Sequence, residues 1–477
     1  MSDSAPGSKR HLVPPPLAHW LESSLGGTIT HVVPRAGGGA VRMGAEVAVR
    51  LSPQRTIKGF LAYDGGSARQ KRDVAEKYVR EAAILSALED TPVRAPRLLA
   101  TSSELRAHFF EFVLGEDRFS KLTNPNDAQV VAADFLHDLV LLHKLDARSF
   151  DLPGFGPILP VRDVLAARID ELRREHDDGG VQDAMIVFGL EWLERRMPAY
   201  DERPAIVHGD AGPGNFLFEN GAMTAMLDWE QCHFGDPMED FAWMSIRGMI
   251  QAWVPFPRLL ETYEALSGIM VDLDRIRYYR VYTLLGMIVG SHRRFYQQPE
   301  TLATQSRLGG ALMFTTLHRL AFAQGLADAE GISLPESTLP KSPAMVSDPF
   351  IASQLAQLRE TIVPRSEDQV LVETAKDMAR VLKYIDARNR LGESMRFDEL
   401  DDLNRVLRTS HKDLAEARGA LLDRVLAGKM SDADMIHLIW RRVERETMLA
   451  HGVIGRLAER SLAPLVREPD VGRVHED

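Results

Sequence analysis

The chain has 477 residues, enough for about three compact units at roughly 150 residues each. Its 45% hydrophobic, 26% charged and 7% aromatic residues exclude fibrous, collagenous and wholly disordered classes. With 57 basic and 68 acidic residues, the net charge of -11 gives no electrostatic reason to expect nucleic acid or a membrane as a partner. The single cysteine, Cys232, excludes an internal disulfide and a cysteine zinc site, so we expect a reducing, cytoplasmic environment.

The amino-terminal segment lacks the apolar stretch of a signal peptide. Lys9 and Arg10 are followed by no apolar run, and the prolines at 14–16 are expected to interrupt any helix. We therefore interpret residues 1–19 as a flexible leader. The most apolar later run, residues 281–290, is about half as long as a membrane helix, so it predicts a core helix.

Strand and turn patterns come first in the chain. Apolar runs around the glycine cluster Gly37, Gly38 and Gly39 predict a small antiparallel sheet over residues 29–64. Helical spacing predicts an amphipathic helix over residues 71–89, and two further strands follow it.

Helical periodicity then dominates from residue 126 to about residue 325, with one exception. Between Ile206 and Asp228, two short apolar runs enclose the turn-rich segment AGPGN and a short strand. This interval contains the candidate catalytic and metal-binding residues.

A proline-rich segment at residues 331–349 predicts an interdomain linker. Everything beyond it has helical patterns: Ser366 and Gln369 predict the start of a helix that runs to Gly392, and Ser431 with Asp434 predicts a second helix start. We expect residues 350–466 to form a helical domain with its own core, with self-association or docking on the preceding part as alternatives.

The linker offers few groups that could join two cores. We therefore expect residues 1–334 and residues 345–477 to fold separately, with residues 467–477 as a tail.

The strongest chemical signal is the motif HGDAGPGN at residues 208–215, followed thirteen residues later by Asp228. Two carboxylates and an amide at the ends of short strands form a ligand set for a hard cation such as Mg²⁺. Phosphoryl transfer needs a carboxylate that deprotonates the attacking hydroxyl, a role that suits Asp210. It also needs ligands for the metal, which Asn215 and Asp228 can supply.

At these residues the sequence resembles the aminoglycoside phosphotransferase and choline kinase family, which has the protein-kinase fold. The resemblance rests on HGDxxxxN, an LDWE-type metal aspartate and GDPMEDFAW, and it covers roughly residues 20–325. It implies an α+β, two-lobed fold with a small antiparallel-sheet lobe at 20–115 and a mainly helical lobe at 116–330. The following all-α domain resembles a family of unassigned function that accompanies such phosphotransferases.

The resemblance also implies roles for particular residues. Asp210 is the catalytic base, Asn215 and Asp228 are the magnesium ligands, and His208 braces the catalytic loop. Asp236 and Asp240 hold the metal loop in place, with an N-capping role as the alternative. His143 is expected to be a structural residue of the large lobe.

The loop departs from the family at Ala211 and Gly212, where many relatives have a larger residue and a histidine. Within the resemblance, this departure points to the bacterial branch related to the kinase-like portion of certain acyl-CoA dehydrogenase fusions.

A nucleotide-binding small lobe needs a glycine-rich turn, a basic residue on the third strand and a glutamate on the next helix. We expect Gly37, Gly38 and Gly39 to form the turn over the phosphates. The predicted ion pair joins Lys58, with Arg50 as the alternative, to Glu81, with Glu76 as the alternative.

The segment FFEFVLGED resembles the strand that connects the lobes, and its backbone between Glu111 and Val113 is expected to bind the adenine edge. The leading function is therefore transfer of the terminal phosphoryl group of ATP, with Mg²⁺, to a hydroxyl of a small molecule. A hydroxyacyl-CoA-like or other metabolite is favoured over an antibiotic. The alternative is a non-catalytic, nucleotide-binding scaffold that presents the helical domain to a partner.

Overall fold

The computed structural model describes residues 9–35, 42–64, 71–199, 203–298, 302, 307–336, 339 and 348–467, with the backbone alone at 9 and 71–75. The amino-terminal part forms one antiparallel sheet, as expected from its alternating apolar residues. Its strands are β1 Thr28–Arg35, β2 Arg42–Ser52, β3 Arg55–Asp64, β4 Leu98–Ser102 and β5 Ala107–Glu111, in the order β1-β2-β3-β5-β4. One helix, α2, spans Lys71–Leu88 between β3 and β4.

The chain entering this sheet is ordered, so the predicted flexible leader is wrong for residues 9–19. A 3₁₀ turn, Lys9–Leu12, precedes helix α1, Pro15–Leu25, which packs Leu17 and Leu21 against the sheet. The prolines do not interrupt α1, because two of them occupy its first turn, where backbone N–H groups need no intrahelical acceptor.

The second lobe is mainly helical, which confirms the predicted α+β, two-lobed, kinase-like fold class. Its helices are α3 Pro125–Lys144, α4 Val161–Asp177, α5 Ala184–Arg195, α6 Pro237–Ile250, α7 Phe256–Ser267, α8 Leu273–His292 and α9 Leu308–Glu330. Two short antiparallel pairs interrupt them, β6 Ala205–Val207 with β9 His233–Gly235, and β7 Phe216–Glu219 with β8 Ala222–Met226. The apolar run at 281–290 lies in α8, and no helix in the described ranges is long and apolar enough to cross a membrane.

The chain beyond residue 348, which we term the helical extension (residues 348–467), is also helical. Its helices are α10 Pro349–Gln357, α11 Val363–Arg365, α12 Gln369–Leu407, α13 Leu414–Leu426, α14 Asp432–Leu449 and α15 His451–Ile454. Ser431 caps α14 as predicted. The cap of α12 is Asp368 rather than Ser366, and α12 continues past Gly392 to Leu407 because a single helical glycine costs only about 1 kcal/mol.

The helical extension has no separate core, so the expectation of two separately packed halves is wrong. Phe322 of α9, Leu421 of α13 and Ile436 of α14 belong to one continuous cluster of buried apolar side chains. Asp377 of α12 accepts the N–H groups of Gly309 and Gly310 and so caps α9. The sequence did not indicate this shared core. The apolar stripes of the later helices predict that those helix faces are buried, but they do not show which element covers them.

Candidate active site

The loop between β6 and β7, residues 208–215, is anchored through its first two residues. Asp240, near the start of α6, accepts the backbone N–H of His208 at 2.9 Å and that of Gly209 at 2.8 Å. Its Oδ2 also lies 2.9 Å from Nε2 of His143, whose Nδ1 lies 2.8 Å from the Tyr263 hydroxyl. These charge-assisted bonds and the neighbouring histidines lower the pKa of Asp240 against the effect of burial.

His208 is buried and braces the loop on its other side. Its Nε2 lies 2.8 Å from the carbonyl oxygen of Leu227, and its Nδ1 lies 3.3 Å from the backbone nitrogen of Asp210. Burial lowers the pKa of His208, which favours the neutral ring needed to donate at Nε2 and accept at Nδ1. Asp236, by contrast, caps α6 by accepting the N–H of Met238.

Asp210 and Asn215 contact each other, and both accept hydrogen bonds from the guanidinium of Arg247. Asn215 donates from Nδ2 to Oδ2 of Asp210 at 2.8 Å. Arg247, in the last turn of α6, donates from Nη1 to Oδ1 of Asp210 and from Nη2 to Oδ1 of Asn215, both at 2.7 Å. Its Nε donates to the carbonyl oxygen of Pro213 at 3.0 Å. The three side chains therefore form one hydrogen-bonded unit.

Two glycines make room for this arginine. At Gly214, with φ of 92°, an added Cβ would lie 3.0 Å from Nη2 of Arg247. At Gly212, with φ of 135°, it would lie 3.2 Å from Cα of Met244 and 3.3 Å from Cδ of Arg247. The departure from the family's loop sequence at Gly212 therefore has a physical consequence, since a side chain there would occupy the arginine's space.

Asp228 follows β8 in a left-handed conformation, with φ of 66° and ψ of 56°. Its predecessor Leu227 is bonded to the catalytic loop on both sides: its N–H donates to the carbonyl of Asn215 at 2.8 Å, and its carbonyl accepts from His208. Burial, followed by the charges of Glu230 and Asp210, raises the pKa of Asp228 to about 8. The site therefore holds negative charge that its own cations do not fully compensate.

The small lobe contains a buried ion pair that the sequence prediction assigned to the wrong cation. Nη2 of Arg42, at the start of β2, lies 2.6 Å from Oε2 of Glu81, and both side chains are buried. The predicted partner Lys58 is exposed, as are its alternative Arg50 and the alternative glutamate Glu76.

The reason lies in the register of the sheet. Arg42 faces Asp64 at the end of β3, whereas Lys58 faces Ala48. Lys58 is six residues before Asp64, roughly 20 Å along an extended strand from the position that faces Arg42, and its side chain is exposed.

The same arginine joins the small lobe to the loop of Asp228. Nη2 of Arg42 also lies 3.1 Å from Oε2 of Glu230, and its guanidinium lies over the Tyr78 ring at 4.7 Å from the centroid. Burial opposes ionisation of Glu81, but Arg42 and then His108 outweigh it and lower the pKa of Glu81 to about 2. The pair is therefore fully charged at neutral pH.

The other predicted nucleotide contacts are only partly described. Gly37, Gly38 and Gly39 lie outside the described residues. Glu111 donates its backbone N–H to the carbonyl of Arg97 at 2.9 Å, so a contact of Glu111 with adenine would have to use its carbonyl oxygen. Glu111 and Val113 both stay predictions as adenine contacts.

Arg42 and Arg247 are the two residues that sequence reasoning missed. Arg42 had a signal, because it lies three residues after Gly39 of the glycine cluster. Arg247 had none, since it lies in an ordinary helical pattern 37 residues from Asp210. The contacts of both depend on tertiary packing.

Residues 66–279 match the phosphotransferase enzyme family. The predicted resemblance is confirmed for this part of the chain, which contains Glu81 and all of the candidate large-lobe site. The match leaves out β1 to β3, including Arg42, and the whole helical extension.

Curated relatives match over short segments. Acyl-CoA dehydrogenase family member 11 of Gallus gallus is 29% identical over 111 residues, which are 23% of this chain and 14% of that protein. Viomycin phosphotransferase of Streptomyces vinaceus is 40% identical over 62 residues, which are 11% of this chain and 22% of that protein. The chain thus spans less than a quarter of the length of either relative.

Solved structures match over a longer part of the chain. Aminoglycoside phosphotransferase APH(4)-Ia, in a ternary complex with ADP and hygromycin B, is 16% identical with a TM-score of 0.44. That match covers 64% of this chain and 98% of the other. Macrolide 2'-phosphotransferase type I is 19% identical with a TM-score of 0.43, over 64% of this chain and 97% of the other.

Proposed function

We propose that the protein is a magnesium-dependent phosphotransferase that moves the terminal phosphoryl group of ATP to a hydroxyl of a small molecule. The observation that carries this proposal is the bonding of Leu227 to both His208 and Asn215. These bonds tie the loop of Asp210 to the loop of Asp228. A base, an amide oxygen and a second carboxylate are therefore adjacent, although they come from different strand ends.

In this proposal Asp210 is the catalytic base. Each of its oxygens accepts one hydrogen bond, from Arg247 or from Asn215. Since a carboxylate oxygen has about two lone pairs, one on each remains for the acceptor's O–H. The acceptor oxygen forms a bond to the terminal phosphorus while the bond from phosphorus to the bridging oxygen of ADP breaks. The hydroxyl proton passes to Asp210, and ADP leaves with the electron pair.

The donor set fits a magnesium ion. Oδ1 of Asn215 and the carboxylate of Asp228 are oxygen ligands of the type that Mg²⁺ binds, and Asp228 and Glu230 leave excess negative charge beside them. In the described ranges no three histidine, cysteine, aspartate or glutamate side chains form a metal cluster, which is consistent with a site completed by substrate phosphates. When bound, the ion would neutralise charge that develops on the transferred phosphoryl group.

The nucleotide's phosphates would be bound from the small lobe. Arg42 is held by Glu81 and Glu230 and lies three residues after Gly39 of the predicted glycine turn. A guanidinium in this position supplies the buried cation expected on the third strand, where Lys58 is exposed. The scaffold alternative depended on the poor match of the third strand to the family pattern, and the buried Arg42–Glu81 pair argues against that alternative.

For the acceptor we propose a small metabolite alcohol, with hydroxyacyl-CoA-like compounds tested before antibiotics. The segments shared with acyl-CoA dehydrogenase family members favour this order. The test is incubation of the protein with a metabolite extract, Mg²⁺ and ATP labelled in its terminal phosphate. Label should appear in a small molecule with the wild type and not with Asp210→Asn. Equal labelling with both proteins would contradict the proposal.

A further inference from the structure

The end of α6 is the place where the candidate active site and the helical extension meet. Arg247 lies in the last turn of this helix and contacts the loop of Asp210 through all three of its guanidinium nitrogens. The backbone N–H of Gln251 donates to the carbonyl of Arg247 and closes the helix there. Any movement of this turn therefore moves the guanidinium that Asp210 and Asn215 share.

The helical extension satisfies the carbonyl groups at this helix end. The last carbonyls of an α-helix have no partner within the helix, and a cation beside them is favoured by the helix dipole. Nη1 of Arg460 donates to the carbonyl of Met249 at 2.8 Å and to that of Ile250 at 2.9 Å. Arg460 is thus the capping cation of the helix that carries Arg247.

Apolar contacts hold the same helix end. Ile250 packs against a small cluster formed by Leu317 of α9 and by Val453 and Ile454 of α15. Tyr384 of α12 packs against this cluster too. The helical extension therefore contacts both the backbone carbonyls and the Ile250 side chain of the last turn of α6.

We infer that Arg247 is the positioning residue of the catalytic base, and that the helical extension holds it in place through Arg460. This inference rests on the proposed function for its catalytic meaning, but its structural content can be tested alone. This inference gives the helical extension a role in the site. Arg460 fixes the end of α6, and α6 positions Arg247. Arg247 in turn orients the carboxylate of Asp210 and the amide of Asn215. Arg460 itself contacts no reacting group.

The test compares two arginines of the same carboxy-terminal stretch in the full chain. Arg460→Met and the milder Arg460→Gln remove the cap on α6. Arg467→Met is the matched control, because Arg467 donates to the carbonyl of Val271 and pairs with Glu264, neither of which belongs to α6. The first readout is the side-chain Nε–H signal of Arg247 in a nitrogen–proton correlation spectrum, assigned by its loss in Arg247→Lys. The second is amide hydrogen exchange at residues 248–251.

Both Arg460 variants should shift the Arg247 signal and speed exchange at residues 248–251 by at least about fivefold, with smaller changes in the sheet lobe. Arg460→Lys, which keeps a donor at the two carbonyls, should restore the wild-type signal, and Arg467→Met should leave it unchanged. An unchanged Arg247 signal in Arg460→Gln would overturn the inference. So would a uniform rise in exchange over the whole chain, because it indicates a general loss of stability.

A turnover assay separates this inference from the proposed function. Once an acceptor is identified, Arg460→Gln should lower kcat by about tenfold with the KM for ATP nearly unchanged, since orientation of the base affects the chemical step. An equal kcat in Arg460→Gln and wild type would overturn the catalytic part of the inference. If no variant transfers phosphate while the Arg247 signal responds to Arg460, the proposed function fails and the structural coupling stands.

Discussion

Nη2 of Arg42 lies 3.1 Å from Oε2 of Glu230, so one buried arginine of the sheet lobe is bonded to the loop that carries Asp228. The same nitrogen contacts Glu81 on α2. This arrangement links the two lobes at the position where nucleotide phosphates are expected. It also makes Arg42 the small-lobe residue whose role is easiest to test.

Arg42→Met should weaken binding of ATP with Mg²⁺ by at least about tenfold, because a desolvated guanidinium is a strong phosphate ligand. It should also lower the free energy of unfolding by about 3–5 kcal/mol, since it leaves Glu81 buried without its cation. Calorimetric titration and urea unfolding measure the two effects. Lys58→Met is the matched control and should change neither, because Lys58 is exposed.

A double variant separates binding from stability. Arg42→Met with Glu81→Leu removes both charges of the buried pair, so most of the lost stability should return. The affinity for ATP should stay low. Recovery of nucleotide binding in the double variant would show that Arg42 acts only through stability.

The Arg42–Glu81 pair also predicts a pH dependence. The pKa of Glu81 is about 2 in the folded chain, below its ordinary value of 4.5, so the ionised carboxylate stabilises the fold above about pH 4.5. That contribution is lost as the pH falls from 4.5 towards 2. The free energy of unfolding should therefore fall faster in this range for wild type than for Glu81→Gln, by up to about 1.4 kcal/mol per pH unit. Parallel slopes in urea unfolding between pH 5 and pH 3.5 would contradict this.

Asp210→Asn should lower kcat by about 10²- to 10⁴-fold, because an amide cannot accept the proton of the acceptor. The affinity for ATP with Mg²⁺ should stay within about twofold of wild type, since the base contacts the acceptor and not the nucleotide. Asp170→Asn, at an exposed position of α4, should retain full activity and serves as the control. Near-normal turnover of Asp210→Asn on its true acceptor would disprove the role of the base.

Asp228→Asn should have opposite effects on binding and on stability. Magnesium-dependent ATP binding should weaken by at least about tenfold, because a neutral amide replaces the anionic ligand. In the metal-free protein, the pKa of about 8 means that ionisation of Asp228 costs stability as the pH rises towards 8. The variant avoids this cost, so at pH 9 without metal its Tm should exceed that of the wild type. Equal ATP affinities in the two proteins would show that Asp228 is not a ligand.

The sequence predicted those parts of the site that are contiguous in the chain. Residues 208–215 form one loop, and their residue types already indicate a base and a metal ligand. The cations could not be predicted, because Arg42 meets Glu81 across 39 residues and Arg247 meets Asp210 across 37. Such contacts depend on strand register and helix packing, which local patterns do not determine.

The fold shows the same division between local and long-range information. The five strands and most helices follow from periodicity, and Ser431 marks a helix start correctly. The sequence did not indicate which elements cover the apolar faces of α13 and α14. An apolar stripe shows that a helix face is buried, but several partners would satisfy it equally well.

The shared core leads to the last prediction, which concerns truncation after residue 334. The fragment 1–334 would expose faces of α5 and α9 that α12, α13 and α14 cover. It would also leave charged groups without partners, because Arg442 of α14 bonds both oxygens of Asp183 and Glu446 pairs with the buried Arg319. An uncompensated buried charge costs about 3–5 kcal/mol, a large part of a typical stability of about 5–15 kcal/mol.

We therefore expect fragment 1–334 to be insoluble or partly unfolded when expressed alone, and to become soluble and bind ATP with Mg²⁺ when co-expressed with residues 345–477. The control is the full chain with a protease cleavage site inserted near residue 340 and then cut, since it keeps every contact and lacks only the covalent link between the two fragments. Circular dichroism, solubility and calorimetric titration measure the outcome. A fragment 1–334 that folds alone and binds the nucleotide with full-length affinity would show that the large lobe is stable without the helical extension, and that the continuous apolar cluster joins two independently stable units.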